Sequence, residues 1–526
     1  MGRTNRRFTS HPAAVVALGF VACSAWCAGA LAQGGLPYTI EPPEGSVQFG
    51  RSVASGGDVD GDGLPDIFVS DPAFAVGNDV VGRWFIFSGA DGSMIFSEIG
   101  ERPYQPTWDP IIIGAFIGDL DGDGRDEFIV GLPDAEEHRG VALVYSLSRR
   151  KPLYTFTGNA SDDLLGLDVR GVGDVNRDDV PDFAFVGRYN IPAFVSVRSG
   201  ATGEEIYRID ITSNTRARRI RSAGDLDGDL VPDLVVGSNG GGNGNAFVGE
   251  FHAVSGASGE RLWRAETGSR IGFSLAAGVD LTGDGVPDVV TAGQFPDRAV
   301  VLSGATGAPI LAFEAPVQGE LWGINLNFAD INRDGAADLV AARIAGAQFG
   351  IDAIDTRRGR VLHWAQGAPG SGGINLSTGN EIAVADVNGD GADDFIIGSV
   401  GGGVVVHGGS PLLLNFSERR SDYSITPGQP YDFTVLGARP GRRIHLLGSL
   451  TGHGCTFIPQ LGICIDLDRR LYRLGDAIAE PDRTARFTLE APPNLPRGPL
   501  WLQAIDLADP VRGPITSNVM RLEVVD

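Results

Sequence analysis

Cysteine, histidine and methionine are scarce in this 526-residue chain, at four, seven and three respectively. Two of the cysteines, Cys23 and Cys27, fall in the first 32 residues, which leaves Cys455 and Cys464. Two are too few for a disulfide scaffold; in an exported chain they are expected to pair with each other. No two histidines stand at HExxH or other paired spacing, so a zinc-hydrolase signature is missing. Basic residues are in deficit, 42 against 66 acidic, for a formal net charge of −24. Nucleic acid is therefore not an expected partner. After the N-terminus no apolar run is long enough to span a membrane, and no helical period recurs. GFSLA (272–276) lacks the strand–turn–helix setting of a nucleophile elbow. GGGNGNAF (240–247) lacks the following helix of a phosphate cradle. With no catalytic motif, the chain is not expected to be an enzyme.

The N-terminus has Arg3, Arg6 and Arg7, then an apolar run, then Ala30-Leu31-Ala32 before Gln33. That order predicts a signal peptide over 1–32 and a secreted or envelope location. Arg6-Arg7 also hints at twin-arginine export. Its removal takes three arginines and no acid from −24, leaving −27.

What the chain has in excess is aspartate in a fixed cadence. GDVDGDGLPDIF (57–68) crowds Asp58, Asp60, Asp62 and Asp66 together, where they would repel one another unless a cation sits among them. Hard divalent cations accept several oxygen ligands, and Gly61 and Gly63 permit the turns that wrap them. A polar turn would explain one such loop equally well. The cadence, however, returns with first aspartates at 58, 119, 174, 225, 280, 330 and 386. Repetition at intervals of 50 to 61 residues is the mark of a repeat architecture.

Read as calcium ligands, loop one offers Asp58, Asp60, Asp62, the Leu64 carbonyl and Asp66. Loop two offers Asp119, Asp121, Asp123, Arg125 (carbonyl) and Glu127; loop three offers Asp174, Asn176, Asp178, Val180 (carbonyl) and Asp182. Loop four has Asp225, Asp227, Asp229, Val231 and Asp233, and loop five has Asp280, Thr282, Asp284, Val286 and Asp288. Loop six has Asp330, Asn332, Asp334, Ala336 and Asp338; loop seven has Asp386, Asn388, Asp390, Ala392 and Asp394. Up to seven Ca²⁺ are expected. Asp179 and Leu230 stand where loops one and two have glycine, which puts those turns in question. An EF-hand would need a carboxylate at position twelve, but Val69 and Val130 occupy it.

The flanks IFVS, FIVG, LVVG and FIIG are β-branched and read as strands. Each unit adds a hairpin with a small-residue turn, as in GRWFIFSGADGSMIFSE (82–98) and RAVVLSGATGAPILAFE (298–314). About four strands per unit and seven units predict an all-β, seven-bladed β-propeller. Blade seven could be completed by PLLLNF (411–416) or by LPYTIE (36–41), and the second is favoured.

Phe49-Gly50, the Asp-x-Asp-x-Asp-Gly-x-x-Asp loop and Val69-Ser70-Asp71-Pro72 resemble the FG-GAP repeat of the integrin α-chain propeller. Val130-Gly131-Leu132-Pro133 is a closer copy of the GAP element. The resemblance covers roughly residues 37–416. It implies Ca²⁺ between the two inner strands of a blade on one propeller face, and closure of the ring by an N-terminal strand.

The domain plan expected is thus 1–32 leader, 33–416 propeller and 417–526 a small antiparallel β-sandwich, where the Asp loops stop. Function is expected on the face opposite the metal loops. Tyr104, Trp108, Tyr189, Arg216, Arg218, Arg219 and Arg221 are the ligand-side candidates there. The partner is expected to be a protein or glycan at the cell surface, in an adhesion or ligand-binding role. A secreted hydrolase or lyase of polysaccharide or lipid, with its site on that loop face, is the alternative.

Overall fold

The β-branched runs form strands as their composition requires, and helix among the described residues is limited to Ala135–His138. The computed structural model describes residues 38–100, 110–149, 151–187, 193–211, 215–240, 249–267, 271–293, 298–315, 321–331, 336–345, 348–357, 360–366, 382–389, 393–401, 403–407, 413–416, 424–436, 441–450, 453–458, 463–467, 472–480, 485–493, 495–509, 513–516 and 520–525. The expected leader, 1–32, lies outside them. None of the described helices is long and apolar enough to cross a membrane.

Among the described residues the repeat region builds seven antiparallel sheets of four strands each. Sheet one runs Val53–Ser55, Ile67–Asp71, Arg83–Phe87 and Met94–Ile99. Its second and third strands are buried at every residue, while the fourth is half exposed. Strands covered on both faces are apolar throughout rather than alternating. That explains why the runs beside the Asp loops carry no polar face.

Each sheet packs on the next. The first strands touch in succession, and Val53–Ser55 meets both Ile113–Gly118 of sheet two and Ile382–Ala385 of sheet seven. Apolar clusters fill the gaps between consecutive sheets. One joins Phe68 and Trp84 of sheet one to Phe128 and Tyr145 of sheet two. Another joins Phe49, Val53 and Phe85 of sheet one to Ile396, Val404 and Val406 of sheet seven. The result is an all-β, propeller-like fold closed on itself.

Sheet seven takes its fourth strand from the N-terminus: Tyr38, Thr39 and Ile40 pair with Val406, Val405 and Val404. Leu413–Phe416, the other candidate, pairs instead with Pro430–Leu436. This strand, just before the expected 416/417 boundary, thus joins a sheet outside the seven repeats. There, a three-stranded and a six-stranded sheet enclose a separate core that includes Phe433, Leu446, Phe487 and Leu502. Cys464 lies opposite Phe457 in the hairpin that also holds Cys455. The side chains of that hairpin lie outside the described residues.

The Phe-Gly and Gly-Ala-Pro-like elements meet between neighbouring sheets. Gly166 of unit three sits at φ 95°, and an added Cβ would lie 2.8 Å from Cα of Gly131 in unit two. Gly50 sits at φ 80°, where a Cβ would lie 2.9 Å from the Ser399 carbonyl of the last sheet. Glycine is needed at both because backbone meets backbone there.

Candidate functional site

Each Asp loop joins the first strand of a sheet to the second, and its ninth residue stands at the start of that second strand. Asp66, Glu127, Asp182, Asp233, Asp288, Asp338 and Asp394 are all buried. One oxygen of each accepts the amide of loop position two (Val59, Leu120, Val175, Leu226, Leu281, Ile331 or Val387) at 2.6–3.1 Å. In sheets one, three, four and five the other oxygen accepts the amide of Gly89, Gly200, Gly256 or Gly304, just past the third strand, at 2.8–3.4 Å. The ninth carboxylate thus ties the loop to the hairpin turn beside it. Asp loops and small-residue turns therefore share one end of the ring.

The first aspartate organises the rest of the loop. Asp58, Asp119, Asp225 and Asp280 accept the amide of position four at 2.6–2.7 Å and that of position six at 2.7–2.9 Å. Asp174 accepts the amides of Asp178 and Asp179. The fifth residue then accepts the amide of the seventh: Asp62 from Leu64, Asp123 from Arg125, Asp178 from Val180, Asp229 from Val231, Asp284 from Val286. Thr282 donates its hydroxyl to Asp280 at 3.3 Å.

These bonds require positive φ at positions four and six, as Gly61 (79°) and Gly63 (88°) show. The two substitutions that put loops three and four in question adopt it too: Asp179 and Leu230 both sit at φ 66°. Arg177, at position four where loops one, two, four and five have glycine, does the same at 64°. Leucine in this region is strained by about 1–2 kcal/mol. Leu230 is 89% exposed, so its side chain returns little. Leu230→Gly is expected to raise stability by roughly 1 kcal/mol after the entropy of glycine in the unfolded chain is subtracted. A melting temperature equal to or below that of the parent would contradict the strain account.

Carboxylate oxygens converge within 4.8 Å in three described groups: Asp58, Asp60 and Asp62; Asp119, Asp121 and Glu127; Asp225, Asp227 and Asp229. An all-oxygen set at this spacing suits a hard divalent cation. Loss of hydration, the leading cause, pushes the carboxyls of Asp66 and Glu127 up to about 7. It also raises Asp182, Asp233 and Asp288. Asp330, Ala336, Asp386 and Asn388 lie on loops six and seven with Asp338 and Asp394. Asn332, Asp334, Asp390 and Ala392 lie outside the described residues.

Neighbouring loops are joined through position eight. In loop two this is Asp126, whose carboxylate accepts the Asp58 amide of loop one at 2.9 Å, while its own amide donates to the Asp58 carbonyl at 2.8 Å. Asp393 of loop seven accepts the Asp330 amide of loop six at 3.2 Å. Where position eight is proline, the ring lies over the glycine before the previous loop. A Cβ on Gly118, Gly173 or Gly224 would come within 2.9–3.0 Å of Pro181, Pro232 or Pro287. Position eight is Pro or Asp in six of the seven loops, and that recurrence was the available signal.

The arginine cluster is displaced from its expected setting. Arg216, Arg218, Arg219 and Arg221 belong to the strand Thr215–Gly224, the innermost of sheet four, and not to a face loop. The side chains of Arg216 and Arg218 lie outside the described residues, as do Tyr104, Trp108 and Tyr189 altogether. Arg221 lines a central cavity of about 420 Å³ walled by the first strands of all seven sheets.

Residues 58–130 match the FG-GAP-like repeat family. Integrin alpha-V of Gallus gallus is 27% identical over 233 residues, covering 39% of this chain. Integrin alpha pat-2 of Caenorhabditis briggsae is 25% identical over 308 residues, covering 56% of it. The chain spans 22% of the length of each of these relatives. A solved structure titled "Structure of Dos1 propeller" superposes with a TM-score of 0.43 at 11% identity, covering 72% of this chain and 95% of its own. The chain thus carries an FG-GAP-like repeat at 58–130 and is similar over part of its length to integrin α chains, on a fold whose repeats stand as four-stranded sheets around one axis.

Proposed function

We propose that the seven sheets are the blades of a closed seven-bladed propeller carried by an exported chain. Its Asp loops hold Ca²⁺, the residues after the ring form a β-sandwich, and the whole serves as an adhesion or ligand-binding module. The observation that carries this reading is the ring of repeated acidic loops at one end, each tied by its ninth carboxylate to the amide of its second residue. Calcium would be held by positions one, three, five and nine and the carbonyl of position seven. It would supply the positive charge these carboxylates lack and fix the spacing of the first two strands in each blade. Repetition favours a structural role for the loops, because an enzyme needs one active site and not seven. The integrin relatives support binding over turnover, so the hydrolase or lyase reading takes second place. The test is retention of intact cells, arrayed glycans and matrix proteins by the immobilised full chain, in calcium and in chelator. Calcium-dependent, saturable retention is expected; turnover of glycan or ester substrates without retention would overturn the reading.

A further inference from the structure

We propose that loops one and two take calcium as a coupled pair, and that Asp126 is the positioning residue that couples them. This deepens the calcium reading above and rests on it. Both loops gather carboxylate oxygens within 4.8 Å, so both suit the same hard cation. Asp126 stands at position eight of loop two, between the Arg125 carbonyl and the Glu127 carboxylate, two ligands expected for that loop. From there it makes two bonds to the first residue of loop one. Its carboxylate accepts the Asp58 amide at 2.9 Å, and its own amide donates to the Asp58 carbonyl at 2.8 Å. Both backbone polar groups of Asp58 are thus gripped from the neighbouring sheet.

Holding Asp58 holds loop one. Its two side-chain oxygens accept the amides of Gly61 and Gly63, each at 2.7 Å, across the two left-handed turns. A cation bound in loop two would fix Arg125 and Glu127, and with them the residue between. Asp58 is then already ordered when loop one meets its own cation, so loop one binds more tightly. By linkage, a cation in loop one tightens loop two by the same factor. Two neighbouring dications repel, but the Asp126 charge interacts with both Asp58 and Asp119 and offsets this. Arg125 also lies over Gly61, its Nε 3.4 Å from where a Cβ would stand. Arg125 is exposed, so its guanidinium can turn into water when a cation occupies loop one. Loop five shows the contrast: Pro287 at its position eight has neither an amide hydrogen nor a carboxylate to offer loop four.

Equilibrium dialysis of the full chain against buffered free calcium, with bound calcium counted per chain, tests the pairing. Asp119→Ala removes a ligand of loop two. One calcium should be lost, and a second should need about tenfold more free calcium. Asp280→Ala, in loop five, should move no site but its own. Asp126→Ala removes no carboxylate ligand, yet should shift two calciums to about tenfold higher concentration. Asp126→Asn keeps an acceptor oxygen and should stay within about threefold of the parent. In the Asp126→Ala background, Asp119→Ala should lose one calcium and shift no other. Melting in saturating calcium checks that each variant is folded. A parent chain that binds no calcium would overturn the calcium reading and the pairing together. Normal calcium binding with only one site affected by Asp119→Ala, or equal weakening by Asp126→Ala and Asp126→Asn, would overturn the pairing alone.

Discussion

Calcium added to the chelated protein is expected to raise its melting temperature by on the order of 10 °C. The three described carboxylate groups, within 4.8 Å spacing, exist only when the loops are folded. A ligand that binds the folded state alone stabilises it by about 2.7 kcal/mol per site at a hundred times its dissociation constant. Three such sites give about 8 kcal/mol, a large fraction of the stability of an ordinary domain. Magnesium should do less, because it demands a tighter octahedral shell and keeps its water. The effect should also depend on pH. In the metal-free protein, burial raises Asp66 and Glu127 to about 7, above their ordinary values of 3.8 and 4.5. A carboxyl raised on folding holds its proton longer in the folded state. Its contribution to stability is complete below the unfolded value and is lost as pH rises through the folded one. The chelated protein should therefore lose stability between about pH 4 and about pH 7. Calcium takes the place of those protons, so its stabilising shift should be larger near about pH 8 than near about pH 5. Melting curves of chelated and loaded samples at the two pH values check both claims; coincident curves at the higher pH would refute them.

The loops were legible because their chemistry is local. Two constraints act within nine residues: carboxylates must crowd around one point, and positions four and six must turn left-handed. Both leave marks in a linear string. The same locality misled at Asp179 and Leu230, where a non-glycine residue pays strain and keeps the turn because the Asp174 and Asp225 carboxylates still hold the amides at position six. The position-eight couplings were not legible, since Asp126 and Asp58 are 68 residues apart and meet only when the sheets stand side by side. The same holds for the cavity. Arg170 and Arg221 have ordinary strand neighbours, and nothing in their segments announces that both will approach the buried Asp168. The aromatics proposed for a ligand face rested on loop composition alone, a weaker signal than any spacing rule.

Ring closure is the place where a local change should have the largest structural effect. Deleting residues 33–42 is expected to lower stability by several kcal/mol, far beyond loss of a frayed tail. Three consequences add. The strand Tyr38–Ile40 leaves the sheet, so Gly403–His407 becomes an exposed edge that invites pairing with another chain. Ile40, only 5% exposed, leaves the apolar cluster between the last sheet and the first; emptying one buried aliphatic position costs about 2–5 kcal/mol. The Tyr38 hydroxyl, which donates to the Gly89 carbonyl of sheet one at 2.7 Å, is lost as well. That bond crosses from sheet seven to sheet one, so its removal loosens the same seam that Phe49 and Gly50 close from the other side. Tyr38→Phe isolates it and should cost only about 1 kcal/mol. Thermal melting with light scattering reads both: a lower melting temperature and earlier aggregation for the truncation, and a small shift for the point variant. An unchanged melting curve for the truncated chain would mean that the three-residue strand does not hold the ring closed.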